Sequence, residues 1–131
     1  MMSQNPLVHL QQFPTTDVKL FFTCRHCKII GIASHAFIDT PNIILLDLSY
    51  NDIVSSELFP EIFKGPDNDD EYAPIKLEIL DLSHNKINSL EKILFEHVPH
   101  LKSLSLSNNE FNSLDEPTAQ AIGSLQKLEV S

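Results

Sequence analysis

The apolar positions of this chain fall into a pattern that returns three times with little change. It reads L-x-x-L-x-L-x-x-N-x-L, with conservative swaps, over residues 43–53, 77–87 and 101–111. A weaker copy precedes these, from Lys19 through Phe22, Cys24 and Cys27 to Ile29, with cysteine in the asparagine slot. Another begins at Leu125, Leu128 and Val130. The polar anchors are spaced 24 residues from Cys27 to Asn51, 34 from Asn51 to Asn85 and 24 from Asn85 to Asn109. The longer interval reads as the same unit enlarged by an insertion at about residues 64–76.

Alternation within each unit predicts a short strand. Leu46 and Leu48, or Leu80 and Leu82, point to one side, and the residues between them to the other. The anchor follows where the chain bends away and its backbone groups need partners. An amide both donates and accepts, so a ladder of Asn51, Asn85 and Asn109, with Cys27 in the same slot, is expected to bridge successive coils. The return segments repeat as well: Ile29, Ile32, Phe37, Pro41 and Ile43 match Ile87, Leu90, Phe95, Pro99 and Leu101. They predict short helical or irregular turns packed inward through the phenylalanine. The last return, Asp115 to Ser124, predicts a helix, with Pro117 near its start and Gly123 near its end. One coil cannot bury its apolar edge alone, whereas a stack can.

The Leu-Asp-Leu-Ser-x-Asn-x-Ile strings at 46–53 and 80–87, with the Phe-x-x-x-Pro-x-Ile/Leu returns, resemble the typical extracellular class of leucine-rich repeat. That class is seen in Toll-like, Slit-like and chaoptin-like cell-surface proteins. The resemblance covers Lys19 to Ser131, with coils starting near residues 19, 43, 77, 101 and 125. It implies an α/β solenoid: an arc with a short parallel sheet on its concave face and short helices or irregular turns on its convex face. Residues 1–18 depart from the pattern and read as a degenerate coil or a loose N-terminal segment. The last coil breaks off at Ser131, as expected of a fragment of a longer ectodomain.

The resemblance also implies a non-catalytic module of a secreted or cell-surface protein that binds a protein ligand on the concave face. A cytosolic scaffold or regulatory segment built from the same repeat is the alternative. On such a face the outward residues form columns, because strands stack about 4.8 Å apart. One column holds Phe21, Leu45 and Ile79; the next holds Asp47, Asp81 and Ser105; Tyr50 and His84 form an aromatic rim. Aromatic anchors beside charge suit a protein interface. A plainer account is that Asp and Ser fill solvated slots and that Phe21, Leu45 and Ile79 only pack across strands.

Composition narrows the partners. The chain is 42% apolar and 21% charged, as expected of a folded domain. Its net charge of −9 and the lack of a basic stripe argue against nucleic acid. No basic run followed by an apolar core opens the chain, and no apolar run approaches the ~20 residues that cross a membrane. No Asn-x-Ser/Thr acceptor is present.

Candidate chemistry is sparse. Gly65-Pro66 followed by Asp67, Asn68, Asp69, Asp70 and Glu71 reads as an exposed acidic loop without the spacing of a calcium loop. Cys24-Arg25-His26-Cys27 resembles half a zinc site, but no second Cys/His pair follows. Two buried free thiols are expected instead, since a disulfide across a near-extended strand would place the Cα atoms beyond ~7 Å. His26 and His84 stand two coils apart, at about 10 Å by strand spacing. No nucleophile, phosphate-loop or metalloprotease motif occurs, so no catalytic residue, cofactor or metal is assigned.

Overall fold

The first leucine of each apolar pair lies in a short strand, the second just beyond its end, and the strands stack in parallel. A computed structural model describes residues 8–68, 71–125 and 129–130. Its elements are β1 (Val8–Leu10), β2 (Leu20–Thr23), β3 (Ile29–Ile32), β4 (Ile43–Asp47), β5 (Asp67–Asn68), β6 (Glu71–Tyr72), β7 (Ile79–Asp81), β8 (Ser103–Ser105), α1 (Glu116–Gly123) and β9 (Glu129–Val130). The main sheet has the order β2-β4-β7-β8-β9, all parallel. Leu46 pairs with Leu80 and Leu80 with Leu104, so equivalent residues of successive coils lie side by side. Leu46, Leu48, Leu80, Leu82 and Leu104 are fully buried. A slip of one residue would turn all of them outward, which is why the apolar pattern dictates this register. The architecture is the parallel-stranded solenoid that the repeat predicts.

The returns pack through a spine of phenylalanines. Phe13, Phe37, Phe63 and Phe95 follow one another with ring centroids 5.3, 6.3 and 6.4 Å apart. Phe63 lies twelve residues after Asn51, whereas Phe37 and Phe95 lie ten after Cys27 and Asn85. The insertion is therefore divided, with two extra residues before the phenylalanine and the rest after it. The two are absorbed by 3-10 turns at Ser55–Glu57 and Pro60–Phe63. Pro117 stands in the first turn of α1, and Asp115 caps it by accepting the Thr118 N–H at 2.9 Å. The Thr118 hydroxyl in turn accepts the Leu90 N–H at 2.8 Å, tying the helix to the coil before it.

The N-terminal residues that the structure describes are ordered against the next return. β1 pairs in parallel with β3, and the Phe13 and Thr16 N–H groups donate to the carbonyls of Ala36 and Asp39. The Thr40 hydroxyl donates to the Pro14 carbonyl at 2.8 Å. After Phe63 the enlarged coil forms an antiparallel hairpin of β5 and β6. Of the acidic string, Asp69 and Asp70 lie outside the described residues. The hairpin is anchored at its base. A Cβ on Gly65 would lie 2.4 Å from the Ala73 carbonyl, so only glycine fits there. Its N–H donates to the Tyr72 hydroxyl, which also bonds Nδ1 of His97 in the next coil.

One expectation is overturned. Cys24 and Cys27 form a disulfide and are not free thiols. The expectation assumed that the strand runs on through both. β2 ends at Thr23, and the backbone turns left-handed at His26 (φ 58°) and Lys28 (φ 59°). The left-handed His26, which lies between the two cysteines, breaks the extended path, and their Cα atoms stand 6.0 Å apart, within disulfide reach.

Candidate binding face

The edge of the sheet is held by the asparagines. Asn85 accepts the Ile53 N–H through Oδ1 at 2.9 Å and donates through Nδ2 to the carbonyls of Leu48, Leu82 and Ser83. Asn109 does the same for Ile87 N–H, Leu82 and Leu106. Asn51 accepts from the N–H groups of Cys27 and Ile29 and donates to the carbonyls of Cys24 and Leu48. Each amide thus serves its own coil and the one before. Cys27 occupies the asparagine slot without that role, because its sulfur is engaged with Cys24.

The residue ahead of each anchor is left-handed: His26, Tyr50, His84 and Asn108 have φ between 57° and 59°. Asparagine and histidine visit this region more readily than most residues, so three of the four carry a sequence signal; a bulky tyrosine does not. The left-handed backbone aims all four side chains along one rim of the face. The His26 and Tyr50 rings lie 5.0 Å apart, and those of Tyr50 and His84 stack at 4.1 Å and 8°. Asn108 Nδ2 continues the row to His84 Nε2 at 3.2 Å. The Tyr50 ring fills the space between the two histidines.

The carboxylate column is more structured than a solvated slot. Asp47 Oδ1 accepts the Ser49 N–H at 3.0 Å and its hydroxyl at 2.7 Å. Asp47 Oδ2 accepts Arg25 Nε at 2.9 Å and meets Arg25 Nη2 at 2.8 Å. Asp47 is only 6% exposed and Ser49 1%. The plainer account of solvated Asp and Ser slots therefore fails at Asp47, which Arg25 clasps, and at the neighbouring Ser49. Asp81 repeats the clasp on Ser83 at the same 3.0 and 2.7 Å. Ser105 has no carboxylate to offer and only approaches the Ser107 hydroxyl at 3.4 Å.

These contacts set the acid behaviour of Asp47. Burial pushes its pKa up, but the Ser49 hydroxyl and amide and the Arg25 guanidinium outweigh burial and hold it below the usual carboxylate value. A depressed folded-state pKa contributes stability that is complete above the unfolded value of about 3.9 and is lost as pH falls through the folded one. The urea midpoint of the wild-type protein is thus expected to fall more steeply than that of Asp47→Asn between about pH 5 and about pH 3. Parallel curves for the two proteins would contradict this assignment.

Phe21, Leu45 and Ile79 lie in register across β2, β4 and β7. Leu45 is half-buried between its neighbours, while Phe21 and Ile79 remain 64% and 38% exposed. Cross-strand packing covers the middle of the column and leaves its ends open. Sequence reasoning missed the pairing of Arg25 with Asp47; a basic residue one coil behind an aspartate was the available signal. It also passed over an apolar cleft of about 330 Å³ beside Leu106, Phe111, Leu114 and Ile122 at the far end of the stack. Among the described residues no group of three His, Cys, Asp or Glu side chains is placed to hold a metal. No helix among them is long and apolar enough to cross a membrane.

Residues 75–131 match the family described as Leucine rich repeat. No curated protein and no solved structure gives a significant match to the chain. The matched segment supplies the strands β7 to β9, and the same asparagine ladder and parallel sheet continue through β4 and β2 before it, so residues 75–131 carry leucine-rich repeats within one parallel-stranded solenoid.

Proposed function

We propose that this chain is a non-catalytic recognition module that binds a protein partner on its concave sheet, within a secreted or cell-surface protein. The observation that carries the reading is the open face itself. Phe21, Tyr50 and Ile79 are large, exposed and held on rigid backbone, with Asp81 beside them. Rigid aromatic and aliphatic groups next to a charge are the usual anchors of protein interfaces, because little conformational freedom is lost when they are covered. The Cys24–Cys27 bridge supports an oxidising compartment. Free thiols would instead have favoured the cytosolic alternative.

The test is proximity labelling on intact cells with three forms of the protein. Phe21→Asp/Ile79→Asp places charge on the concave face, and Ile93→Asp places it on an exposed position of a return turn. The wild-type set of labelled proteins is expected to persist with Ile93→Asp and to vanish with the double variant. Equal loss in both, or persistence in the double variant, would remove the concave face as the binding surface.

A further inference from the structure

Asp47 and Asp81 occupy the same register position on adjacent strands. In both, Oδ1 is taken by the serine two residues on, at matching distances. The two carboxylates are therefore turned alike, and Oδ2 is presented the same way in each. Their second oxygens differ. Asp47 Oδ2 holds the Arg25 guanidinium, which reaches forward from the coil before. The residue one coil behind Asp81, equivalent to Arg25, is Ser49, whose hydroxyl is spent on Asp47. Among the described residues no hydrogen bond or ion pair reaches Asp81 Oδ2.

We propose that Asp81 is the docking point for an arginine side chain of the protein partner, seated as Arg25 is seated on Asp47. The inference rests on the concave-face reading and names the chemistry of its partner. The occupant is a guanidinium, because the Asp47 cradle sets two neighbouring N–H groups on one carboxylate oxygen. An ammonium is a point charge without that fork. The surroundings suit the rest of an arginine-bearing segment. Ile79, two residues before Asp81, is open for an apolar neighbour. The stacked rings of Tyr50 and His84 stand three residues beyond each aspartate and offer a flat surface for a planar cation. The net charge of −9 draws a basic segment toward the surface.

The test uses the blocked tripeptide leucyl-arginyl-leucine and its counterparts with citrulline or lysine, titrated against the protein while its amide resonances are followed. The arginine peptide is expected to move the Ser83 amide saturably, and citrulline, equal in shape but uncharged, to bind roughly tenfold more weakly. Lysine is expected to fall between them. Asp81→Asn should abolish the arginine preference. Arg25→Ala, or Arg25→Gln if alanine does not fold, empties the Asp47 cradle and should bring the Ser49 amide into the response as a second site. Equal response to arginine and citrulline, indifference to Asp81→Asn, or a silent Ser49 amide in the Arg25 variant would each overturn the assignment. A partner lost with Phe21→Asp/Ile79→Asp but indifferent to Asp81→Asn would overturn it too, while leaving the proposed function intact.

Discussion

Replacing Asn85 with alanine is expected to cost about 2–4 kcal/mol of folding stability, more than most single truncations at a polar position. The groups bonded to Asn85 do not suffer equally. The Leu48 carbonyl keeps Asn51 as a donor, and the Leu82 carbonyl keeps Asn109. The Ile53 N–H has no such reserve: its residue is fully buried, and Asn85 Oδ1 is its acceptor. A stranded buried donor carries its full desolvation cost. Asn85→Asp keeps an acceptor for Ile53 but loses every donation and buries a charge, so it is expected to be no better than alanine. Urea unfolding and hydrogen exchange at Ile53 check this together. A loss under about 1 kcal/mol with Ile53 still protected would mean that the ladder is incidental.

Leu82→Ala is expected to cost about 2–5 kcal/mol, as a truncation in a packed core. Leu82 is fully buried, and a shortened side chain leaves a cavity that the stacked coils on either side cannot close without breaking register. Its neighbour makes the comparison informative. From sequence, Asp81→Ala would leave folding nearly unchanged, as at a solvated position. The clasp on Ser83, which is buried, changes that expectation to a loss of about 1 kcal/mol, because the Ser83 N–H and hydroxyl lose their acceptor. Denaturant midpoints of the two variants decide the matter. If Asp81→Ala proved the more damaging, the strand would be facing the other way.

The repeat alone determined the coils, the parallel sheet and the inward set of leucines. These are consequences of periodicity: a two-residue alternation has one way to bury its apolar side, and a repeated unit has one way to stack. The asparagine ladder was legible for the same reason, since a buried bend needs a side chain that both donates and accepts. The helix Glu116–Gly123 was legible from Pro117 near its start and Gly123 near its end.

What the tertiary structure decided depends on contacts between coils and on local backbone turns, neither of which one sequence displays. The disulfide followed from a left-handed residue after β2, His26, with no glycine to announce it. The burial of Asp47 followed from Arg25 crossing from another coil, twenty-two residues away in sequence. The stacking of Tyr50 on His84 likewise needed the thirty-four-residue coil to close onto its neighbour in register, despite its insertion. Periodicity assigns a side chain to a face. Which of its oxygens stays open there is settled only when the neighbouring coil arrives.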